Sequence, residues 1–299
     1  MTRAAEADFL KYNFVPVMTE LERRCAGAGA RELNDLHEIF GHVDDGLFAF
    51  LAGRFFNGYD AVREVLPGWA SDEVRHSSTG KFDFREHVLD ASWFWRTVRD
   101  EFEQLTGKEI ASAKVADYGA GWGRIARFVN KDVPAAQFYA LEPNPTFQKI
   151  YADCRLPGHL VPTGWQSAQS TGVENIDLIF SYSILTHSSE ELTRNIVDRW
   201  TEMTRPGSVV ACTIRPGCFL TERDGDMAVF SGEEHGALAE AYLRGEFIYK
   251  PYRPDEGSWG VAVIPVPYLE RLIEGRFRFV KCALQLQTTN QLIVFLQRL

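Results

Sequence analysis

A short apolar run that breaks into closely spaced glycines constrains the fold more than any other part of the chain. Val115–Tyr118 predicts a buried strand, Gly119, Gly121 and Gly123 follow at once, and residues 123–130 predict an amphipathic helix. A strand that enters a helix through a glycine turn lets a ligand lie against bare backbone at the start of the helix. This segment therefore predicts a strand–turn–helix unit that holds a nucleotide-like ligand.

From residue 114 onward, apolar segments of strand length alternate with segments of helical periodicity. The predicted strands are Val115–Tyr118, Phe138–Leu141, Leu160–Pro162, Ile176–Phe180, Ser208–Ile214, Arg276–Leu284 and Gln291–Leu296. Helices are predicted at 123–130, 145–153, 189–203 and near 267–274. Alternation of this kind indicates parallel strands with right-handed crossovers, and the last two runs predict a terminal antiparallel hairpin. We therefore expect an α/β fold with a seven-stranded, mostly parallel sheet.

Two regions depart from this alternation. Residues 1–110 are predicted to be mainly helical, with a loop at Ser77–Gly80 and a long aromatic helix over Phe84–Leu105. Residues 215–262 separate the fifth strand from the next predicted helix, and a structureless connection of this length is uncommon. We predict a helical N-terminal region or lid, followed by a ligand-binding domain over 111–299 that carries a folded insertion on its substrate side.

Composition limits the classes of partner. The formal net charge of -9 over 299 residues argues against a nucleic-acid partner, because proteins bind the phosphates of nucleic acids through basic surfaces. No stretch approaches the ~18 uninterrupted apolar residues of a membrane helix. The five cysteines form an odd number without a CxxC pair, which favours reduced thiols over a disulfide framework or a zinc site. We expect a cytoplasmic protein with no membrane insertion and no metal; the oligomeric state stays open.

A second acidic residue strengthens the prediction of a nucleotide-like ligand. Glu142 ends the strand that follows the glycine turn, where a carboxylate can accept hydrogen bonds from both ribose hydroxyls. The dinucleotide fingerprint GxGxxG would require glycine at position 124, and the chain has Arg124 there. The D-x-G-x-G-x-G pattern from Asp117 to Gly123 instead resembles the first motif of class I S-adenosylmethionine (SAM) methyltransferases.

The resemblance implies a Rossmann-like fold with SAM as the cofactor. It extends to Asp177–His187, which is similar to the fourth motif of the family, and to the Arg205-Pro206-Gly207 turn into the fifth strand. Glu142 would then bind the ribose, and Asp117 would lie near the amino-acid end of the cofactor. The residues that the resemblance assigns to the cofactor are Asp117, Tyr118, Gly119, Gly121, Gly123, Glu142, Pro143, Trp165, Gln166 and Ser181.

The N-terminal half resembles a bacterial subset of these methyltransferases that is associated with glycan or polysaccharide biosynthesis. Leu66-Pro67, Thr79-Gly80 and the aromatic helix carry this similarity, and Gly257–Gly260 and Asn290-Gln291 fit the same subset. The implied acceptor is a small molecule or a glycan precursor.

Candidates for the chemistry lie just past the fourth and fifth strands. Methyl transfer from a sulfonium is an in-line displacement, in which the protein aligns the nucleophile and removes a proton from a neutral hydroxyl. His187 is the candidate base, although Thr186-His187 also fits the region before a helix N-cap. Tyr182 can line the methyl pocket, and Arg215 can orient an anionic acceptor. We expect methyl transfer to a polar acceptor at a hydroxyl, in a sugar, a glycan precursor or a natural product.

Three alternatives stay open at this point. The acceptor atom can be an amine nitrogen, which must arrive unprotonated, or a carboxylate oxygen, which needs no base. The scaffold also suits a nicotinamide oxidoreductase, which would bind NAD and not S-adenosylhomocysteine. A non-catalytic module would bind SAM without transferring its methyl group.

Overall fold

A seven-stranded sheet forms the centre of the protein. The computed structural model describes residues 3–28, 36–164, 171–221, 228–255, 257–284 and 291–299. The strands of the large sheet have the order β3-β2-β1-β4-β5-β9-β8, and β6 and β7 form a separate two-stranded sheet. In chain order they are β1 Val115–Tyr118, β2 Phe138–Glu142, β3 His159–Pro162, β4 Ile176–Ser181, β5 Thr204–Ile214, β6 Ile248–Pro251, β7 Gly260–Val263, β8 Phe277–Leu284 and β9 Leu292–Arg298.

Strand directions confirm the predicted α/β, Rossmann-like architecture. β1 lies parallel to β2 and β4, with Val115 opposite Phe138 on one side and Leu178 on the other. β9 runs antiparallel to both β5 and β8, as predicted for a terminal hairpin. β5 begins at Thr204, earlier than predicted, because Thr204 already pairs with Ile176 across an irregular register.

The helices cover both faces of the large sheet. In chain order they are α1 Arg3–Ala28, α2 Leu36–Phe40, α3 Asp45–Ala52, α4 Asp60–Val65, α5 Asp72–Thr79, α6 Phe84–Thr106, α7 Ala126–Asp132, α8 Pro145–Asp153, α9 Glu190–Met203, α10 Glu234–Leu243 and α11 Val266–Ile273. The prediction that α7 starts at residue 123 was wrong, because turns continue from the glycines to Ile125. No helix in the described ranges combines the length and apolar character needed to cross a bilayer.

The helices before β1 share a hydrophobic core with one face of the large sheet. Phe94 of α6 contacts Phe180 of β4 with ring centroids 6.2 Å apart, and Phe48 of α3 contacts Phe128 of α7 at the same distance. Arg99 of α6 adds ion pairs to acidic residues of α3 and α7, at 2.8 and 3.1 Å. The N-terminal helices are therefore held directly against the strands and helix that flank the glycine turn.

The predicted loop at Ser77–Gly80 was wrong, because Ser77–Thr79 forms the last turn of α5. Ser71 caps the start of this helix, and Gly80 ends it in the left-handed conformation with φ 70°. The hydroxyls of Ser78 and Thr79 donate to carbonyls four residues earlier, both at 2.7 Å. Small polar residues usually indicate a turn, but here their hydroxyls find hydrogen-bond acceptors within the helix itself.

The insertion at 215–262 is folded, as predicted, and it contains the β6–β7 hairpin that was not predicted. Phe219, Phe230, Ile248 and Val261 are part of its own small core. The hairpin contacts the segment after β4, where the N–H of Ser189 donates to the carbonyl of Ser258 at 3.1 Å. The insertion therefore stands beside the carboxyl ends of β4 and β5.

Candidate active site

A cavity of about 1140 Å³ opens at the carboxyl ends of β1, β2, β4 and β5. Its walls come from this sheet edge, from the end of α5 and from the insertion hairpin. The predicted site residues that line it are Asp117, Gly119, Gly121, Glu142, Pro143, Tyr182, His187 and Arg215. A volume somewhat above the ~300–1,000 Å³ of ordinary ligand pockets leaves space for two small ligands side by side.

The glycine turn takes the left-handed conformation at each of its three glycines. At Gly123, with φ 80°, an added Cβ would lie 2.0 Å from Leu156 and 2.9 Å from the ring of Tyr151. At Gly121, with φ 57°, an added Cβ would meet nothing within 4 Å. Gly123 is therefore required by packing beneath the turn, whereas Gly121 leaves bare backbone at the cavity.

Glu142 is fixed by backbone donors at the edge of the cavity. Its two carboxylate oxygens accept hydrogen bonds from the N–H groups of Gly121 at 2.6 Å and Asn144 at 2.7 Å. The side chain is buried, and burial raises its pKa although the two N–H groups act in the opposite direction. An ionised carboxylate has about four lone-pair sites, so acceptor capacity remains for a ligand.

Asp117, the residue before the last of β1, is a buried carboxyl. Burial raises its pKa well above the usual range, the negative charge of Glu142 raises it further, and the positive charge of Arg124 lowers it. Arg124 follows the glycine turn and lies 4.7 Å above the ring of Tyr182. Arg124 also lines the cavity, a position that was not predicted from the sequence.

Several residues predicted to bind the cofactor lie elsewhere. Tyr118 points to the opposite face of the sheet, where its ring meets Trp200 edge-on, and Ser181 donates to the Tyr118 carbonyl at 3.0 Å. These two side chains and Gly123 are not among the residues that line the cavity. Alternation along β1 and β4 explains the difference, since only every second side chain faces the same layer. Trp165 and Gln166 lie outside the described residues.

His187 lies in a network between β5 and the insertion. Its Nδ1 is 3.0 Å from the carbonyl oxygen of Gly260 and 2.8 Å from the hydroxyl of Tyr252, while its Nε2 is 3.4 Å from a guanidinium nitrogen of Arg215. The ring stacks on Trp259 with centroids 5.5 Å apart. The tautomer that satisfies these contacts carries its proton on Nδ1 and presents the Nε2 lone pair to Arg215.

Ser183 and Gln291 line the cavity but were not predicted from the sequence as site residues. Ser183, just past β4, has φ 59°, a conformation that a residue other than glycine rarely takes. The hydroxyl of Thr213 in β5 accepts the Ser183 N–H at 2.7 Å, and Gln291 donates to the Ser183 hydroxyl at 3.0 Å. Strained backbone of this kind concentrates at ligand sites. No periodicity or spacing in the sequence indicates it.

The end of α5 is tied to the glycine turn. The indole N–H of Trp122, between the second and third glycines, donates to the Ser78 hydroxyl at 3.0 Å. Trp122 also packs against Trp69, with ring centroids 5.7 Å apart. The predicted lid region thus supplies part of the cavity wall.

No group of three or more His, Cys, Asp or Glu side chains suited to a metal ion occurs within the described ranges.

Comparison with known proteins yields resemblances to solved structures. No protein-family model matches the sequence, and no curated protein sequence matches it. Similar structures include the glycopeptide N-methyltransferase MtfA with S-adenosylhomocysteine (14% identity, 67% of this chain and 88% of that chain, TM-score 0.45). A second similar structure is a SAM-dependent methyltransferase from Mesorhizobium loti (13% identity, 70% of this chain and 98% of that chain, TM-score 0.44). A third is the Burkholderia thailandensis 1,6-didemethyltoxoflavin-N1-methyltransferase (15% identity, 78% of this chain and 94% of that chain, TM-score 0.44). At these levels the resemblances say nothing about the substrate, and the fold rests on the chain's own strand order and register.

Proposed function

We propose that this chain is a SAM-dependent methyltransferase that acts on a small or medium-sized polar acceptor. The observation that carries the proposal is the position of the Glu142 carboxylate, fixed by the Gly121 N–H at the edge of the cavity. Two backbone donors orient the carboxylate, and its remaining lone pairs suit the two hydroxyls of a ribose. Arg124 in place of a fingerprint glycine argues against a dinucleotide at the same turn.

The residues around the turn suit the other parts of SAM. Open space at Gly121 lets the backbone approach a ligand, and the buried carboxyl of Asp117 suits a positively charged group. When bound, SAM supplies the electrophilic methyl group on its sulfonium. The protein then has to bind and orient the acceptor and keep water away from it.

Calorimetry with S-adenosylhomocysteine tests the cofactor assignment. In Glu142→Gln the side chain keeps its shape and one acceptor oxygen but loses its charge, so we expect affinity to fall by about 1–3 kcal/mol. Glu202→Gln, at an exposed position on α9, is the matched control and should bind like the wild type. Unchanged affinity in Glu142→Gln would contradict the ribose assignment. Tight binding of NAD without binding of S-adenosylhomocysteine would favour the oxidoreductase alternative.

The acceptor would lie on the insertion side of the cavity. Tyr252, Trp259 and His187 offer ring faces there, and Arg215 adds a buried cation. Aromatic faces with a few fixed polar groups suit a sugar ring or a planar natural product. A hydroxyl of such an acceptor is the proposed nucleophile, as expected from the sequence.

His187 is the proposed base for a hydroxyl acceptor. The Nδ1–H held by the Gly260 carbonyl fixes the ring, and Nε2 is the nitrogen that can take a proton. The acceptor hydroxyl would have to replace the Arg215 N–H at Nε2. A protonated ring beside a guanidinium is unfavourable, so an anionic group on the acceptor that pairs with Arg215 would favour proton transfer.

The same Arg215 contact favours a second candidate, methyl transfer to an amine or carboxylate that needs no base from His187. Incubation of the protein with labelled SAM and extracts of its source organism, followed by mass spectrometry of labelled products, would identify the acceptor atom. Binding of S-adenosylhomocysteine without any labelled product across extracts and substrate panels would instead indicate a non-catalytic module.

A further inference from the structure

The hydroxyl of Ser183 is held at the cavity wall by contacts from three separate segments. Thr213 of β5 accepts the Ser183 N–H at 2.7 Å, and Nε2 of Gln291, just before β9, donates to the Ser183 Oγ at 3.0 Å. The Thr186 hydroxyl lies 3.1 Å from the same Oγ. These contacts hold Ser183 at φ 59°, a conformation that is unfavourable for a residue with a Cβ. The position of this hydroxyl is therefore set by the surrounding fold.

An account of the hydrogen bonds fixes the direction of the Ser183 hydroxyl hydrogen. A hydroxyl oxygen has two lone pairs, and Nε2 of Gln291 takes one of them. Thr186 is 0% exposed, and its hydroxyl reaches no acceptor among the described residues except the Ser183 Oγ. A buried donor left unpaired is costly, so Thr186 donates and takes the second lone pair. The hydrogen of the half-buried Ser183 hydroxyl is then left for a ligand in the cavity.

Gln291 supports this arrangement by a sacrifice of its own. The side chain is 6% exposed, and its Oε1 is buried without a donor in the described part of the chain. A buried polar atom without a partner calls for an explanation, and a site is one such explanation. Among the described residues that line the cavity, the carboxylates are Asp117 and Glu142, both on the β1–β2 side. The wall around Ser183 therefore offers a neutral donor and no carboxylate.

We propose that Ser183 selects the methyl acceptor by donating a hydrogen bond to one of its oxygen atoms. Gln291 and Thr186 are positioning residues, because they occupy the lone pairs of Ser183 and so direct its hydrogen. The inference rests on the proposed function and narrows the acceptor from a polar molecule to one with an oxygen at this wall. Hydroxyl, ether and carboxylate oxygens have lone pairs to accept the bond, whereas an ammonium group has none.

Titrations with isosteric probe pairs test the role of Ser183. The probes are 2-, 3- and 4-(hydroxymethyl)benzoate, each compared with the ethylbenzoate of the same substitution, so that a hydroxyl replaces a methyl group. NMR titration of the protein saturated with S-adenosylhomocysteine gives each affinity. For at least one pair the wild type should prefer the hydroxyl probe by about fivefold, the value of one net hydrogen bond. Ser183→Ala should lose this preference, and Ser112→Ala, an exposed serine outside the cavity, should keep it.

Two further variants guard against a merely structural effect. Ser183→Gly removes the hydroxyl but fits φ 59° without strain, so it should fold well and lose the same preference. Gln291→Leu should weaken the preference, because the Ser183 hydrogen is no longer directed. Each variant should bind S-adenosylhomocysteine like the wild type, which shows that the fold is intact.

The outcomes separate this inference from the proposed function. A preference that survives in Ser183→Ala and Ser183→Gly would place the oxygen elsewhere and would overturn the inference alone. Absence of any preference in wild-type protein that binds S-adenosylhomocysteine would overturn it equally. Failure of the wild type to bind S-adenosylhomocysteine would overturn the proposed function, and the inference with it.

Discussion

Lowering the pH from 7.5 to 5.0 should destabilise the protein through His87, a buried histidine of α6. The side chain is 1% exposed, and its Nδ1 has no hydrogen-bond partner among the described residues. Burial, together with the positive charges of Arg124 and Arg75, lowers its pKa from 6.5 to about 4. The ring lies beside Trp122 of the glycine turn, with centroids 6.4 Å apart. Protonation of His87 would therefore place a second cation near Arg124.

The sign follows from proton binding. Between pH 6.5 and pH 4 the unfolded chain binds a proton at this histidine and the folded chain does not, so stability falls as pH drops through this window. With an unfolded value of 6.5 and a folded value of about 4, the loss between pH 7.5 and pH 5.0 is about 2 kcal/mol. The contribution is fully present above pH 6.5.

Urea unfolding of the wild type and of His87→Leu at both pH values measures this contribution. Leucine has a similar volume and does not titrate, so the comparison uses each protein's change with pH and not its absolute stability. We expect the pH-dependent loss to be about 2 kcal/mol smaller in the variant. Equal pH dependence in the two proteins would refute the claim that His87 is held neutral by its surroundings.

Two further comparisons test the turn and the base. Gly123→Ala should destabilise the fold by about 2–4 kcal/mol in urea unfolding, because residue 123 is in the left-handed conformation and its new Cβ would collide with Leu156. Gly121→Ala should cost less stability but weaken S-adenosylhomocysteine binding. The reverse pattern would contradict the packing argument. His187→Asn should lower turnover of a hydroxyl acceptor by about 10²–10⁴ at unchanged S-adenosylhomocysteine affinity; near-normal turnover would favour an acceptor that needs no base.

The seven-stranded sheet could be predicted because its strands are continuous buried runs between clear helical segments. β1 matches its predicted bounds of Val115–Tyr118, and the terminal pair β8–β9 was found from two apolar runs. The β6–β7 hairpin was missed, because Ile248–Pro251 contains an aromatic, a cation and a proline and has no clear alternation. The hairpin packs against α10 of the insertion, and such a contact cannot be predicted from the local sequence.

The site could be predicted where chemistry follows the chain closely and was missed where distant segments meet. Asp117 and Glu142 were found because each lies near the carboxyl end of a strand, and the two strands end at the same sheet edge. The contribution of Ser78 was missed, because its contact with Trp122 joins residues 44 positions apart. Arg124 was used in the sequence only to exclude a dinucleotide, since its place in the cavity wall is a property of the folded chain.

The two buried carboxyls at this sheet edge link ligand binding to stability. Burial raises the pKa of both Asp117 and Glu142, so the native state holds protons that the unfolded chain releases as pH rises above about 4. Each carboxyl therefore lowers the stability of the ligand-free protein at neutral pH. A ligand that donates hydrogen bonds to one carboxyl and presents a positive charge to the other favours their ionised forms and offsets this cost. If the proposed cofactor binds at this sheet edge, substitutions that stabilise the empty protein there should weaken its binding.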